Sequence, residues 1–148
     1  MNERREAALG SAMRVEQLGD SLSQAAAALH AAVMRAIRQR ASLGQAGITQ
    51  AQAQAVFALE VALRQQANAL YADAAGHVIT GLDTAQHQLS GLLDTVRQRI
   101  ARHDSVSHWI SLATGLLNLG RAVLARSPER ILSTLATVRE RLREAGGD

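Results

Sequence analysis

The chain has no cysteine, one proline and only three aromatic residues among its 148 residues. Without cysteine, disulfide bonds and thiolate metal sites are excluded. Cysteine usage then gives no indication of whether the protein works in an oxidising or a reducing compartment. The scarcity of proline and of β-branched runs favours an all-α fold. With so few aromatic side chains, the core has to consist of leucine and valine packed against alanine, which brings the helices close together.

Lysine is also absent: all 16 basic residues are arginine, although the formal net charge is only +3. A GC-rich genome explains this through codon usage, and selection against ubiquitin acceptors in a protein delivered into a eukaryotic cytosol is the alternative. The charged N-terminus leads into no apolar segment, which argues against a secretory signal peptide. Localisation therefore stays open, with the cytoplasm favoured and non-classical secretion as the alternative.

An apolar stripe runs from Val56 to Ile100 at every third or fourth position, and no proline interrupts it. This spacing predicts one long α-helix over about residues 50–103. Two glycines fall within this span, Gly76 facing away from the stripe and Gly81 facing into it, and each costs a helix roughly 1 kcal/mol relative to alanine. A break near these glycines is therefore the alternative to a continuous helix.

Helix start signals divide the rest of the chain. Thr49 and Gln52 form a capping box before the long helix, and Asp104 or Ser105 is the N-cap of the next one. Ser127 and Pro128 have the order expected of an N-cap and a first helical residue. The flanking helices are predicted over residues 3–41, 105–126 and 128–145.

These elements predict a single all-α domain over residues 1–148. Its expected architecture is an antiparallel up-down-up bundle with a long central helix, in which the third leg is broken at Ser127–Pro128. The alternative is a compact bundle of four or five helices, with the second helix broken near Gly76–Gly81.

Arginines gather at three predicted helix C-termini, where cations interact favourably with the helix dipole. The up-down-up topology brings the first and last groups to the same end, where they are candidates for binding an anionic surface. Nucleic acid is disfavoured, because acidic residues alternate with the cations and stacking aromatics are lacking. The candidate residues are Arg35, Arg38, Arg40, Arg139, Arg141 and Arg143.

The helix over residues 105–126 carries apolar residues around most of its surface, which is typical of a buried helix or one that meets a partner or lipid. A membrane span is a third interpretation, disfavoured by its polar interruptions. One apolar row is a candidate interaction surface. Its members are Trp109, Leu112, Leu116, Leu119 and Val123.

Catalytic and metal-binding constellations are not recognisable in the sequence. It has no HExxH motif, no phosphate-binding glycine loop and no nucleophile elbow. Two Asp/His pairs at i,i+4 spacing, Asp73/His77 and Asp83/His87, are interpreted as solvated side chains rather than metal ligands. His103 and His108 flank a turn and could approach each other. We therefore predict no enzymatic activity, no catalytic residues, no metal and no cofactor.

The sequence favours a non-enzymatic helical protein–protein interaction module that self-associates or binds a protein partner. The alternative is a secreted or translocated bacterial effector. It would bind anionic membranes through the arginine-rich end of the bundle or through the apolar helix at 105–126.

Overall fold

The computed structural model describes residues 6–43 and 48–146, except for the side chains of residues 40–43 and 145–146. Within this part it contains five α-helices, a short 3-10 turn and no strand, so the all-α prediction is confirmed. The elements are α1 (Ala12–Leu43), α2 (Gln50–Ala72), the 3-10 turn (Ala75–His77), α3 (Gln86–Arg102), α4 (Val106–Leu124) and α5 (Pro128–Gly146).

The predicted continuous helix over 50–103 is wrong, and the alternative with a break at the two glycines is correct. The helix ends where the Asp73 carboxylate accepts a hydrogen bond from the Gly76 amide, 3.1 Å away. A Cβ at Gly76 would lie 2.1 Å from that carboxylate. Gly81 then adopts φ +76°, in the left-handed region that favours glycine. Within the break the stripe residue Leu82 stays buried, and Ile79 is buried in place of the partly exposed Val78, although neither lies in a helix.

An N-terminal segment is hydrogen-bonded to the linker between the 3-10 turn and α3. The Ala8 amide donates to the Thr84 carbonyl at 2.8 Å, and the Ile79 amide donates to the Leu9 carbonyl at 3.0 Å. The Leu9 amide donates to Oε1 of the buried Gln86 at 2.9 Å. The predicted first helix over 3–41 is therefore too long at its start, because these amides pair with the linker and α1 begins only at Ala12.

The starts of α2, α4 and α5 follow their local signals. The capping box of α2 is complete, with the Gln52 amide 3.1 Å from Thr49 Oγ1 and the Thr49 amide 2.9 Å from Gln52 Oε1. Of the two candidate caps of α4, Ser105 is the one that accepts from the backbone. Ser127 accepts from the amide of Arg130 at the start of α5. Capping side chains satisfy amides that have no partner within the helix, and this fixes where each helix begins.

Helix α4 lies in the middle of the core. Helices α2 and α5 pack on it, whereas α1 packs against α2 and α3. The buried Gln66 on α2 donates its amide Nε2 to the Leu117 carbonyl at 2.9 Å, so α2 contacts the α4 backbone directly. The apolar row on α4 is consequently enclosed by other helices of the same chain.

Successive helices alternate in direction. Tyr71 on α2 contacts Asp20 near the start of α1, and Glu60 contacts His30 further along α1, so α1 and α2 are antiparallel. Helix α3 returns parallel to α1, because its start meets the N-terminal segment and its end meets Arg35. The C-terminal ends of α1, α3 and α5 therefore lie at one end of the bundle, together with the start of α4.

Candidate functional site

Arginines link the three helix ends at what we call the basic end of the bundle. Nη2 of Arg35 on α1 lies 3.5 Å from the Ala101 carbonyl oxygen and 3.9 Å from the Asp104 carboxylate. Arg99 on α3 donates to the Leu142 carbonyl on α5 at 3.0 Å. The first and last arginine groups are thus brought to the same end. The group on α3 joins them, because the break in the predicted long helix reverses its direction.

The six candidate arginines differ in their surroundings. Arg141 is partly buried between α5 and α4. The Arg40 side chain lies outside the described residues, and Arg35 contacts α3 as above. The remaining three are exposed, and one of them also pairs with Glu140; they are Arg38, Arg139 and Arg143. Their binding of an anionic partner stays a prediction.

The candidate apolar row on α4 is core rather than an open face. Each of its five residues is at most 1% exposed, because α2 and α5 cover the helix. The interpretation of this row as an exposed surface is therefore corrected: a partner could reach it only by displacing a helix. Within the described residues, no helix meets the length and apolarity that crossing a membrane requires. The residues are Trp109, Leu112, Leu116, Leu119 and Val123.

A cavity of about 300 Å³ opens at the basic end, where α3 passes into α4 and the end of α5 packs beside them. Two imidazoles, three hydroxyls, one guanidinium and one carboxylate line it, so its chemistry is polar and rich in nucleophiles and donors. The lining residues are His103, Ser105, Ser107, His108, Ser111, Arg141 and Glu144.

The two histidines of the cavity form a pair. Their rings meet edge to face, with centroids 5.3 Å apart. His103 is the C-cap of α3, and its amide donates to the Arg99 carbonyl at 3.0 Å. His108 lies in the first turn of α4, and its amide donates to Ser105 Oγ at 3.3 Å. The two caps of the turn therefore bring together rings that are five positions apart in the sequence.

Trp109 fixes the turn from inside the core. Its indole Nε1 donates to the His103 carbonyl at 2.7 Å, while the ring itself is 1% exposed. A buried indole N–H needs an acceptor, and here the acceptor is the backbone of the paired histidine. The position of His103 is thus coupled to the packing of the largest core side chain.

Arg141 reaches the cavity from α5. Its Nη1 donates to the Ser111 carbonyl at 2.7 Å, which holds the guanidinium against α4. Glu144, one turn further along α5, is exposed at the rim. The cavity therefore combines a fixed cation with two histidines and several hydroxyls, a set suited to a phosphoryl or carboxylate group.

The other histidines are not part of this site. His77 lies in the 3-10 turn, with Nδ1 2.8 Å from the Asp73 carbonyl oxygen. His30 contacts Glu60, and His87 is exposed at the start of α3. Among the described residues, no three histidine, aspartate or glutamate side chains are grouped to hold a metal ion.

Comparison with known proteins adds one finding. A family model described as HisKA_3, histidine kinase, matches residues 96–148, which span the end of α3 together with α4 and α5. This segment is well under half of the chain. Neither the curated proteins nor the solved structures contain a match to this chain.

The match overturns two predictions. The interpretation of the chain as a non-enzymatic interaction module, with a secreted membrane-binding effector as the alternative, is wrong. The segment at 96–148 is similar to a signalling module of histidine kinases. The prediction of no enzymatic role is wrong for the same reason, since histidine kinases are enzymes. The coarser prediction, a helical protein that can associate with a second chain, is compatible with the match.

The sequence indicates that His103 and His108 could approach each other across a turn, but not that they line a common cavity. The useful signal was local: two histidines within six positions, directly after an arginine-rich helix end and at the start of the next helix. The contribution of Arg141 had no local signal, because it comes from another helix 33 positions beyond His108.

Proposed function

We propose that residues 96–148 are the phosphoryl-accepting, self-associating part of a histidine-kinase-type signalling protein. One observation carries the proposal: both histidines of the basic-end cavity lie within the segment that matches the histidine kinase family, and the other three histidines lie outside it. A histidine that accepts a phosphoryl group has to be reachable by a donor. The cavity opens beside both rings, and Nε2 of His108 is itself buried, so His103 is the more accessible of the pair.

The chemistry is nucleophilic attack by a neutral imidazole nitrogen on phosphorus. A nitrogen–phosphorus bond forms, and the bond from phosphorus to the leaving group of the donor breaks, with the electron pair departing on that group. The imidazole must be deprotonated at the attacking nitrogen. The product is a phosphorylated ring that carries added negative charge beside the serine hydroxyls and Arg141.

Phosphoramidate tests the proposal without a protein donor, because it transfers its phosphoryl group directly to imidazole and releases ammonia. The whole chain is incubated with phosphoramidate, and phosphohistidine is followed by ³¹P NMR and located by mass spectrometry. We expect labelling at the cavity pair to be faster than at the exposed His30 and His87. His103→Gln and His108→Gln identify the acceptor, and His87→Gln is the matched control.

Two outcomes would count against an acceptor role. One is equal labelling rates at all five histidines in the folded chain, which would mean that the cavity adds nothing to the intrinsic reactivity of imidazole. The other is undiminished labelling in the double variant H103Q/H108Q. A variant whose circular dichroism differs from that of the parent chain is not interpreted.

Self-association is the second part of the proposal. Among the described large apolar side chains that are exposed, Leu132 is the one within the matched segment, with 40% of its surface accessible. It lies on α5, which packs mainly against α4 and leaves its outer side open. A second copy that contacts this side of α5 would bury Leu132 without disturbing the core.

Light scattering over a range of concentrations measures this association. Leu132→Glu is expected to shift the chain toward the monomer, because it places a charge in the proposed contact. Val61→Glu is the matched control, since Val61 is 53% exposed but lies outside the matched segment. Equal effects of the two substitutions, or a parent chain that stays monomeric at high concentration, would refute the α5 contact.

A further inference from the structure

We infer that Arg141 holds the phosphoryl oxygens in the cavity, and so serves as the positioning residue for transfer to the histidine pair. This inference rests on the proposed function and assigns a role to a residue on a different helix. The ligand class is a tetrahedral phosphoryl oxyanion. Three features of the cavity support it: the anchoring of the guanidinium, the close packing of α5 on α4, and the balance of charge around the rings.

The guanidinium is held before any ligand arrives. Among the described residues its one hydrogen bond is from Nη1 to the Ser111 carbonyl at 2.7 Å, which uses one of the five N–H donors of an arginine. The other donors are available to an oxyanion. An arginine that is already fixed loses less side-chain entropy when it binds, and its planar donors match two oxygens of a phosphoryl group.

Gly115 allows α5 to pack closely on α4 beside Arg141: a Cβ there would be crowded by Val138 and in ordinary contact with the guanidinium. A Cβ at this position would lie 3.5 Å from Arg141 Nη1 and 3.0 Å from Val138 Cγ2. Because the glycine has no side chain, α5 approaches α4 closely and the guanidinium lies against the first turns of α4. The Ser111 carbonyl that accepts from Arg141 lies one helical turn beyond His108, on the part of α4 that lines the cavity.

The charges around the histidine rings predict in which direction each substitution changes the rate of phosphoryl transfer. Serine hydroxyls of the first α4 turn line the cavity, and Ser105 and Ser107 Oγ atoms lie 3.1 Å apart. Asp104, adjacent to His103, faces Arg35 at 3.9 Å, which offsets its charge. Glu144 at the rim opposes an incoming phosphoryl group. Removing the cation and removing this carboxylate should therefore act in opposite directions.

The experiment compares phosphoramidate labelling of the whole chain in matched variants. Arg141→Gln should slow phosphohistidine formation roughly tenfold, because a charge-assisted hydrogen bond is lost. Arg141→Lys should recover part of the rate, since it keeps the charge but not the planar pair of donors. Glu144→Gln should raise the rate. Arg130→Gln, an exposed arginine at the other end of α5, removes the same charge and should leave the rate unchanged.

Binding of inorganic phosphate separates this role from a structural one. In the parent chain, phosphate should shift the NMR signals of the His103 and His108 rings and compete with phosphoramidate. Both effects should disappear in Arg141→Gln and persist in Arg130→Gln, while circular dichroism confirms that each variant is folded. A merely structural arginine would not change the phosphate titration of a folded variant.

The outcomes separate the two proposals. If the parent chain takes no phosphoryl group at the cavity histidines, the proposed function fails. If the parent is labelled there but Arg141→Gln matches Arg130→Gln in rate and in phosphate titration, the acceptor role stands and the inference about Arg141 is wrong. Slower labelling with an unchanged phosphate titration would also contradict it, because the residue would then act through packing alone.

Discussion

The α4–α5 hairpin and the region before it are built by different means. The hairpin begins each helix at a local signal, Ser105 or Ser127, and packs an uninterrupted apolar row against its neighbours. The preceding region depends on contacts between residues far apart in sequence, such as Leu9 with Gln86. Most residues that line the cavity belong to the regular hairpin. The irregular region positions α3 beside the hairpin, and with it His103.

If this contrast is correct, the largest loss of stability should come from the hairpin core. Trp109→Ala should lower the free energy of unfolding by about 3–5 kcal/mol, because it leaves a large cavity and removes the hydrogen bond to the His103 carbonyl. Urea unfolding followed by circular dichroism measures the change. A loss below that of Leu9→Ala would mean that the irregular region, not the hairpin, dominates the core.

Leu9 tests the irregular region. The residue is fully buried and has φ +61°, so Leu9→Ala should cost about 2–3 kcal/mol for the lost side chain. Leu9→Gly should be more stable than Leu9→Ala by about 1 kcal/mol, because alanine retains the left-handed strain and glycine does not. Met13→Ala, at a position that is 55% exposed, is the control with little expected change. The opposite order of glycine and alanine would contradict the strain argument.

Two glycines with open space at their Cβ positions, one in the break and one in α3, separate the effect of backbone conformation from that of packing. A Cβ at Gly81 or at Gly91 would meet no atom within 4 Å. Gly81→Ala should nevertheless destabilise the chain by about 1 kcal/mol, since its φ is +76°. Gly91→Ala, within the exposed surface of α3, should stabilise by about 1 kcal/mol. Thermal unfolding of both variants checks the two signs, and equal signs would mean that backbone conformation at the break is not limiting.

The smallest effect concerns the contact between α1 and α2. Partial burial raises the pKa of the Tyr71 phenol, and its hydrogen bond to Asp20 at 2.6 Å raises that pKa further. The stability that this phenol contributes is therefore present below its unfolded pKa and is lost as pH rises through the folded pKa. Ultraviolet absorbance titrates it without interference from other tyrosines, because Tyr71 is the single one. Asp20→Asn should lower the pKa, and an unchanged titration would exclude the contact in solution.

The sequence predicted the parts of the fold that depend on neighbouring residues. The capping box of Thr49 and Gln52 and the Ser127–Pro128 start needed no tertiary information, and the all-α class followed from composition and periodicity. The break at Gly76–Gly81 could only be offered as an alternative, because Val78 and Leu82 keep the helical spacing of the stripe although neither lies in a helix. The role of the N-terminal segment could not be predicted, since its partners are seventy or more positions away.

The candidate site was predictable only in part. The turn that joins His103 to His108 is local, whereas the cation comes from α5 and the access depends on how three helix ends converge. Arginines at helix ends also have a sufficient structural explanation in the helix dipole. Their number alone could not distinguish Arg141, which is anchored in the cavity, from exposed residues such as Arg139.

The hydrogen bond between the Trp109 indole and the His103 carbonyl also gives the molecule a built-in optical probe. This is the sole tryptophan in the chain, and its N–H is attached to the backbone of a residue that lines the cavity. A phosphoryl group in that cavity would add negative charge close to this hydrogen bond, and we expect it to change the electric field at the indole. Emission of the unlabelled protein can therefore follow events at the histidine pair in real time, with no dye attached.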